Sequence, residues 1–394
     1  AGQSSRPGST PDVDLTPGTV GAANETIRPP AAETPTSPTF AFGLDSVVMP
    51  ARRSAALGGH KSYVTALSFS PDGRLLASGG MDEILRLWDL GPMLDQADAR
   101  PAELAALRGQ LSELQAIAFD PTGTYLITGS ANTDKGPMWR WEWREKDPAR
   151  ARTGVPAQPI QVDALAFNQD GTRLAGSVRD AVFLWSIGRK GMTKEKLLRG
   201  HDTPVRALAF HPDGTRIALG GEDTTIRVYE FGWLRNTVKP PLQGHTDAIT
   251  SLAYSSAGNL LVTGSKDGSI RLWDGSGNDP NARAVLTGHT AAVRLVRFTS
   301  RGNQLVSVGD AGQVHLWDIA TQAAVREWSI DKTMAHSIAL SPDGRYLAVG
   351  TASGGEGLVS LYDLELIMVE QLAPTAAGMT KGRIAGPPLP SEPL

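Results

Sequence analysis

One spacing constrains this chain more than anything else in it. Trp88, Trp141, Trp185, Tyr229, Trp273, Trp317 and Tyr362 follow one another at intervals of 53, 44, 44, 44, 44 and 45 residues. A fixed period in this range means a repeated supersecondary unit, because a segment of about 40 residues cannot cover its own apolar face and must stack on copies of itself. A second marker keeps the same step. A glycine recurs at Gly73, Gly123, Gly171, Gly214, Gly258, Gly302 and Gly344, with Phe69, Phe119, Phe167, Phe210, Tyr254, Phe298 or Leu340 four residues earlier. Six residues before each glycine stands Leu67, Ile117, Leu165, Leu208, Leu252, Val296 or Ile338. Positions two apart share one face of a strand, so every unit carries a strand with an apolar face running into a glycine turn.

The turns read Ser70-Pro71-Asp72-Gly73 and Ser341-Pro342-Asp343-Gly344, where proline presets φ and glycine accepts a positive φ. A hairpin follows from that, with a short apolar strand such as 75–77, a tight turn and a third strand such as 84–88. Residues 103–107, 196–198, 283–286 and 323–328 supply weaker fourth strands. Third strands carry apolar residues one and three places before the aromatic in nearly every unit, so both faces need cover, and stacking the sheets around a ring supplies it. The predicted fold class is all-β: a closed, seven-bladed β-propeller of four-stranded antiparallel blades. Each fourth strand precedes the next unit, so residues 53–57 are expected to complete the blade whose other strands lie within 335–363, with 366–372 as the rival. In the second unit the 44-residue spacing selects Trp141 as the anchor, whereas Met138 before Trp139 favours a shifted register. Trp141 is retained, and Arg140, in a place that is apolar in the other units, must then be paired or exposed.

The 394 residues exceed what such a ring needs. Residues 1–45 hold seven of the 27 prolines and residues 373–394 hold five. Segments of this kind bury too little to offset their ordering entropy, so both are expected to be disordered or extended tails around a propeller of 46–372. A net charge of -3, with 40% hydrophobic and 20% charged residues, is ordinary for a soluble protein and disfavours a generally basic nucleic-acid binder. No stretch approaches the roughly 18 apolar residues that span a bilayer. With no cysteine, disulfides, thiolate metal sites and cysteine nucleophiles are excluded. Ala1, followed by a Pro/Ser/Thr-rich spacer, suggests a processed chain and favours an extracytoplasmic setting, and Asn24-Glu25-Thr26 fits a glycosylation acceptor.

Two dipeptides recur within the units. Gly-His stands at Gly59-His60, Gly200-His201, Gly244-His245 and Gly288-His289, each histidine 28 residues before its Trp or Tyr. Trp-Asp stands at Trp88-Asp89, Trp273-Asp274 and Trp317-Asp318, with variants at the other anchors. On these residues the chain resembles the WD-repeat family over roughly 51–372. The resemblance implies a buried hydrogen-bonded set of His60, Ser78, Asp82 and Trp88, and again of His245, Thr263, Asp267 and Trp273. Indole donates, hydroxyl donates and accepts, imidazole bridges and carboxylate accepts, so four such groups can satisfy one another. A hydrolytic triad is the competing reading, and recurrence in several units argues against it. In the fourth unit Leu219 stands where Ser78 stands in the first, and units two, three and seven lack Gly-His.

Motifs for catalysis are absent: there is no Gly-x-Ser-x-Gly, His-Glu-x-x-His, phosphate loop or dinucleotide fingerprint. No catalytic residue, cofactor or metal is therefore expected, and His211, His315 and His336 read as packed or solvated. The expected function is a non-catalytic protein–protein interaction scaffold, with protein or peptide partners on the propeller faces, within a larger assembly. The alternative is a small-ligand sensor or enzyme using the mouth of the central channel. Units two and seven take 18 residues from turn glycine to aromatic where regular units take 15, which predicts tall loops at 130–137 and 351–357 bordering a partner groove at Lys61, Ser62, Tyr63 and Met81. On the opposite face, segments 144–152 and 188–196 concentrate basic residues, among them Arg150, Arg152 and Lys190, as a candidate site for an acidic protein. Nucleic acid is disfavoured there, because no aromatic stacking platform accompanies the charges.

Overall fold

The structure, a computed structural model, describes residues 49–50, 53–96, 99–109, 112–130, 138–145, 152–155, 161–188, 191–231, 237–300, 302–330, 335–353 and 355–364. All lie in one compact unit, Ser46–Leu394. Both tails expected from composition fall outside the described residues, as does Asn24.

Seven antiparallel sheets form the blades of a propeller. Blade one contains Val64–Phe69, Leu75–Gly80, Leu85–Asp89 and Ala102–Leu107, and blade two Leu114–Phe119, Leu126–Ser130, Met138–Trp141 and Arg152–Gly154. Blade three contains Ala164–Phe167, Arg173–Val178, Ala181–Gly188 and Gly191–Leu198, and blade four Val205–Phe210, Arg216–Gly221, Ile226–Glu230 and Thr237–Val238. Blade five contains Ile249–Tyr254, Leu260–Ser265, Ile270–Asp274 and Ala284–Leu286. Blade six contains Val293–Phe298, Gln304–Gly309, Gln313–Asp318 and Ala323–Ser329, and Met49–Pro50 adds a short parallel fifth strand to it. Blade seven is assembled from both ends of the ring: Ser337–Leu340, Tyr346–Ser353 and Glu356–Asp363 pair in sequence, and Arg53–His60 closes on Glu356–Asp363 with Leu57 opposite Val359. The rival segment 366–372 is outside the described residues.

Packing follows the alternation that the sequence carries. Each hydrophobic cluster belongs to two neighbouring blades. Leu57, Val64, Trp88, Tyr346 and Leu361 join blades seven and one, and Val262, Leu272, Val293, Leu305 and Trp317 join blades five and six. Every blade face is thus covered by the next blade, the arrangement that fully buried third strands require. Trp141 is buried, pairs with Leu126 as Trp88 pairs with Leu76, and donates its indole N–H to Thr128 Oγ1 at 2.9 Å. It is the anchor of blade two. Arg140 is half-buried, paired to Glu142 at 2.7 Å and stacked on the Tyr125 ring at 3.9 Å, which relieves the cost of a cation in an apolar place.

The turn glycines take φ near +70°. Gly258 has a further reason to lack a side chain. His211, from the turn of blade four, places its Nε2 2.9 Å from Gly258 O, and a Cβ on Gly258 would lie 2.3 Å from that nitrogen.

Two expectations are corrected. The extra residues of unit seven do not form a tall loop: they lengthen the hairpin, with Thr351 opposite Leu358 and Ser353 opposite Glu356, because antiparallel pairing satisfies backbone groups that a loop would leave to solvent. Residues 131–137 of unit two are outside the described residues. Likewise Lys194 and Lys196 are not in a loop on a face but in the outermost strand of blade three, Gly191–Leu198. The helix Gly91–Asp95, which buries Met93, has no counterpart in the sequence reading.

Candidate functional site

The first structural set spans the ring closure. His60 ends the outer strand of blade seven, whereas Ser78, Asp82 and Trp88 belong to the second strand, the following turn and the third strand of blade one. A carboxylate can only accept, so Asp82, 3.0 Å from His60 Nδ1, places the proton on that nitrogen. His60 Nε2 then accepts from Ser78 Oγ at 2.8 Å, and Ser78 Oγ accepts the Trp88 indole N–H at 2.8 Å. Burial raises the pKa of Asp82, but the hydrogen bond and charge of His60 and the N–H groups of Lys61 and Ile84 outweigh it and leave the carboxyl below its ordinary value. Ser78 is wholly buried and both of its hydrogen-bonding roles are in use, so no substrate reaches a nucleophile here. Blade five repeats the set: His245 Nδ1 lies 2.9 Å from Asp267, and Thr263 Oγ1 stands 2.7 Å from His245 Nε2 and 2.9 Å from Trp273 Nε1.

Other blades depart from the set in instructive ways. In blade four, with Leu219 in the hydroxyl position, the Tyr229 hydroxyl turns to Arg199 O at 2.6 Å and His201 Nε2 has no partner. In blade three Gly176, opposite Leu165 as Ser78 is opposite Leu67, holds that position, and Trp185 Nε1 is unpartnered. In blade six His289, Ser307 and Trp317 are joined at 2.7 and 2.8 Å, but Ala311 stands where the carboxylate would be.

The ring encloses a channel of about 530 Å³, lined by the inner strands of all seven blades. Its mouth is built by a repeated backbone irregularity. Inner strands of five blades carry a β-bulge at the same place, which leaves Thr65, Gln115, Arg206, Thr250 and Arg294 out of the ladder. A bulge re-aims its extra side chain, and here all five line the channel. Opposite them, Met81, Glu222, Lys266 and Asp310 begin the turns between second and third strands. Each of these four donates its N–H to a carbonyl just before the inner strand, that of Tyr63, Pro204, Ala248 or Ala292.

The rim is therefore two-sided. Around blades three to six it is charged: Arg206 pairs with Glu222 at 2.9 Å and Asp163 at 3.5 Å, and Arg294 pairs with Asp310. Burial raises the pKa of Asp163, against the opposing hydrogen bond of Gln161 and charge of Arg206. Around blades one and seven it is apolar: Tyr63 and Met81 are 44% and 40% exposed, and Tyr63 meets the edge of His336 with centroids 4.6 Å apart. Lys61 is exposed and Ser62 half-buried beside them. Of the basic residues proposed for the opposite face, Arg150 and Lys190 lie outside the described residues. Arg152 does not stand free, since its guanidinium stacks on Trp139 at 4.5 Å, and Lys194 lies over Phe183 at 4.4 Å. Among the described residues no three His, Asp or Glu side chains are grouped to hold a metal ion.

The bulged rim residues were missed by the sequence reading, which aligned units on turn glycines and aromatics alone. A signal was present. Eight residues before each turn glycine stand Thr65, Gln115, Asp163, Arg206, Thr250, Arg294 and His336, polar in every unit although the flanking positions are apolar or small.

Comparison with known proteins agrees with the repeats. The family model described as WD domain, G-beta repeat, matches residues 52–89, 102–134, 192–230, 236–274 and 281–318. The third and seventh units, both without Gly-His, are unmatched. The chain is 30% identical over 151 residues to the small ribosomal subunit protein RACK1 of Brassica napus, covering 34% of this chain and 42% of that one. It is 29% identical over 200 residues to Protein HIR1 of Cryptococcus neoformans, covering 46% of this chain and 22% of that one. The chain thus spans less than half the length of these relatives.

Proposed function

We propose, from the premise that this chain is a seven-bladed propeller of the WD-repeat family, that it is a non-catalytic platform that docks a protein segment on the face around the channel mouth. The observation that carries this reading is the exposed Tyr63 and Met81 pair set beside a rim of fixed charges. Aromatic and methionine side chains are enriched at interface centres, and a charged surround steers and orients the partner. The hydrogen bond from Met81 N–H to Tyr63 O ties the two residues together at the ends of the strands Val64–Phe69 and Leu75–Gly80, so binding orders little of the platform. The His–Ser/Thr–Trp–Asp sets act in this reading as internal braces between strands. Membership in a larger assembly is supported by the relative whose name makes it a protein of the small ribosomal subunit.

The test is affinity capture from the native source with wild-type bait and a Tyr63→Ala/Met81→Ala double variant. The expected outcome is loss of the principal captured protein by about tenfold or more, with urea unfolding unchanged within about 0.5 kcal/mol, since both side chains are exposed. Capture unchanged in the double variant would remove this face from the proposal.

A further inference from the structure

Five residues before each turn glycine the chain carries Ser68, Ala118, Ala166, Ala209, Ala253, Arg297 and Ala339. Six inner strands thus have a small neutral residue at this level and blade six has an arginine. Arg297 is solvent-exposed and lines the channel. Three residues deeper than the rim residue Arg294 on the same strand, it lies about 10 Å further along it. Its Nη1 donates to Leu252 O at 2.8 Å and Val296 O at 3.0 Å, which staples blade six to blade five. Neutral carbonyls hold the fork in place but do not balance its charge. Nε and Nη2 have no partner among the described residues, and no carboxylate pairs with the guanidinium. Enclosure alone acts on its titration, pushing it below the ordinary arginine value. At the mouth above, Arg206 and Arg294 are compensated by carboxylates, whereas Lys266, from the adjoining blade five, forms no ion pair among the described residues.

A guanidinium that lines a channel open to solvent and has no carboxylate beside it can receive an oxyanion, which supplies charge and acceptors together. The channel volume lies within the range of small-ligand sites. We propose that the bore binds a small phosphate-class oxyanion, held by the free Nε and Nη2 edge of Arg297, with Lys266 drawing it in at the rim. The guanidinium fork matches two oxygens of one phosphate group, and Nη1, already anchored on backbone carbonyls, fixes its orientation before the ligand arrives. This site is separate from the Tyr63 and Met81 surface and does not depend on a docked protein.

The experiment is calorimetric titration of the full chain with inorganic pyrophosphate at low ionic strength, using wild type, Arg297→Ala and Lys266→Gln. Arg297→Ala installs the residue that five other blades carry at this place, so the variant is expected to fold, and urea unfolding checks that it does. Saturable binding in the wild type, weakened at least tenfold by Arg297→Ala and less by Lys266→Gln, supports the site, as does displacement of pyrophosphate by added sulfate. Absence of saturable binding in the wild type overturns it, as does equal affinity in a folded Arg297→Ala. Should Arg297→Ala prove unfolded, Arg297→Gln, which keeps a donor for Leu252 O but no charge, replaces it with the same two readings.

Discussion

Blades five and six adjoin, share the same strand order and bury the same Trp–hydroxyl–His chain, yet they differ at the far nitrogen of the histidine. In blade five His245 Nδ1 meets Asp267, which also accepts the Thr246 N–H and the Ser269 hydroxyl. Burial lowers the pKa of His245, and the Asp267 hydrogen bond and charge oppose it. Asp267 itself, raised by burial but held by the Thr246 and Ser269 groups, falls to about 2. In blade six the carboxylate is gone and Gln313 Oε1 takes over only its bond to a backbone N–H, that of Thr290 at 2.9 Å. His289 Nδ1 is left without a partner, and its ring stacks on His315 at 4.3 Å, so burial and then the neighbouring imidazole push its pKa down to about 3. One missing carboxylate thus converts a polarised brace into a neutral, acid-sensitive one, while the hydroxyl hub and its tryptophan stay in place. The hub is held from two sides, by indole and imidazole, and does not need the carboxylate for its geometry.

The largest effect should come from the part the two blades share. Thr263→Ala and Ser307→Ala each strand a buried indole N–H and an imidazole nitrogen, and each should cost about 3 kcal/mol in urea unfolding. The two losses should agree within about 1 kcal/mol. A much smaller loss in blade six would mean that its chain had already loosened with the carboxylate. A second test uses acid. The unfolded His289 titrates near its ordinary 6.5 and the folded one near 3, so the unfolded state binds the extra proton between these values and stability falls as pH drops from 6.5 toward 3. By pH 5 this should remove at most about 2 kcal/mol, and His289→Gln should flatten the fall by about one proton's slope when urea unfolding is followed against pH. An unchanged slope would mean that His289 is not the group responsible. The smallest effect should be a gain. Ala311→Asp restores the carboxylate at an exposed position and should stabilise blade six by about 1 kcal/mol while raising the His289 pKa, readable by imidazole NMR titration. If the pKa stays where it is, stacking on His315 and not the missing carboxylate governs this ring.

Legibility in the sequence followed the range of the interaction. The blade five set could be named because its members stand at fixed offsets of 18, 22 and 28 residues from Gly-His, all within one repeat. Its blade six counterpart could not, since the stacking partner His315 occupies a place that is Arg86, Arg227 or Arg271 in other blades and acquires its meaning only when the ring lies against His289. The proposed partner surface was half legible. Tyr63 and Met81 were found from loop arithmetic, yet the loops invoked to border them proved to be paired hairpin in unit seven, and the charged half of the rim was not seen.

By itself the sequence determined the number of units, the strand order within each, the anchors at Trp88, Trp141, Trp185, Tyr229, Trp273, Trp317 and Tyr362, and the closing role of the strand that begins at Arg53. These follow from alternation and turn chemistry acting over a few tens of residues, and repetition makes such local preferences reinforce one another. Only the tertiary structure decided what converges on the axis. The bulges that turn Arg206 and Arg294 inward, and the position of Arg297 among six small residues, bring together side chains far apart in the chain that no local pattern relates. Their proximity arises because the ring closes, and closure depends on seven interfaces each adding its share of the turn.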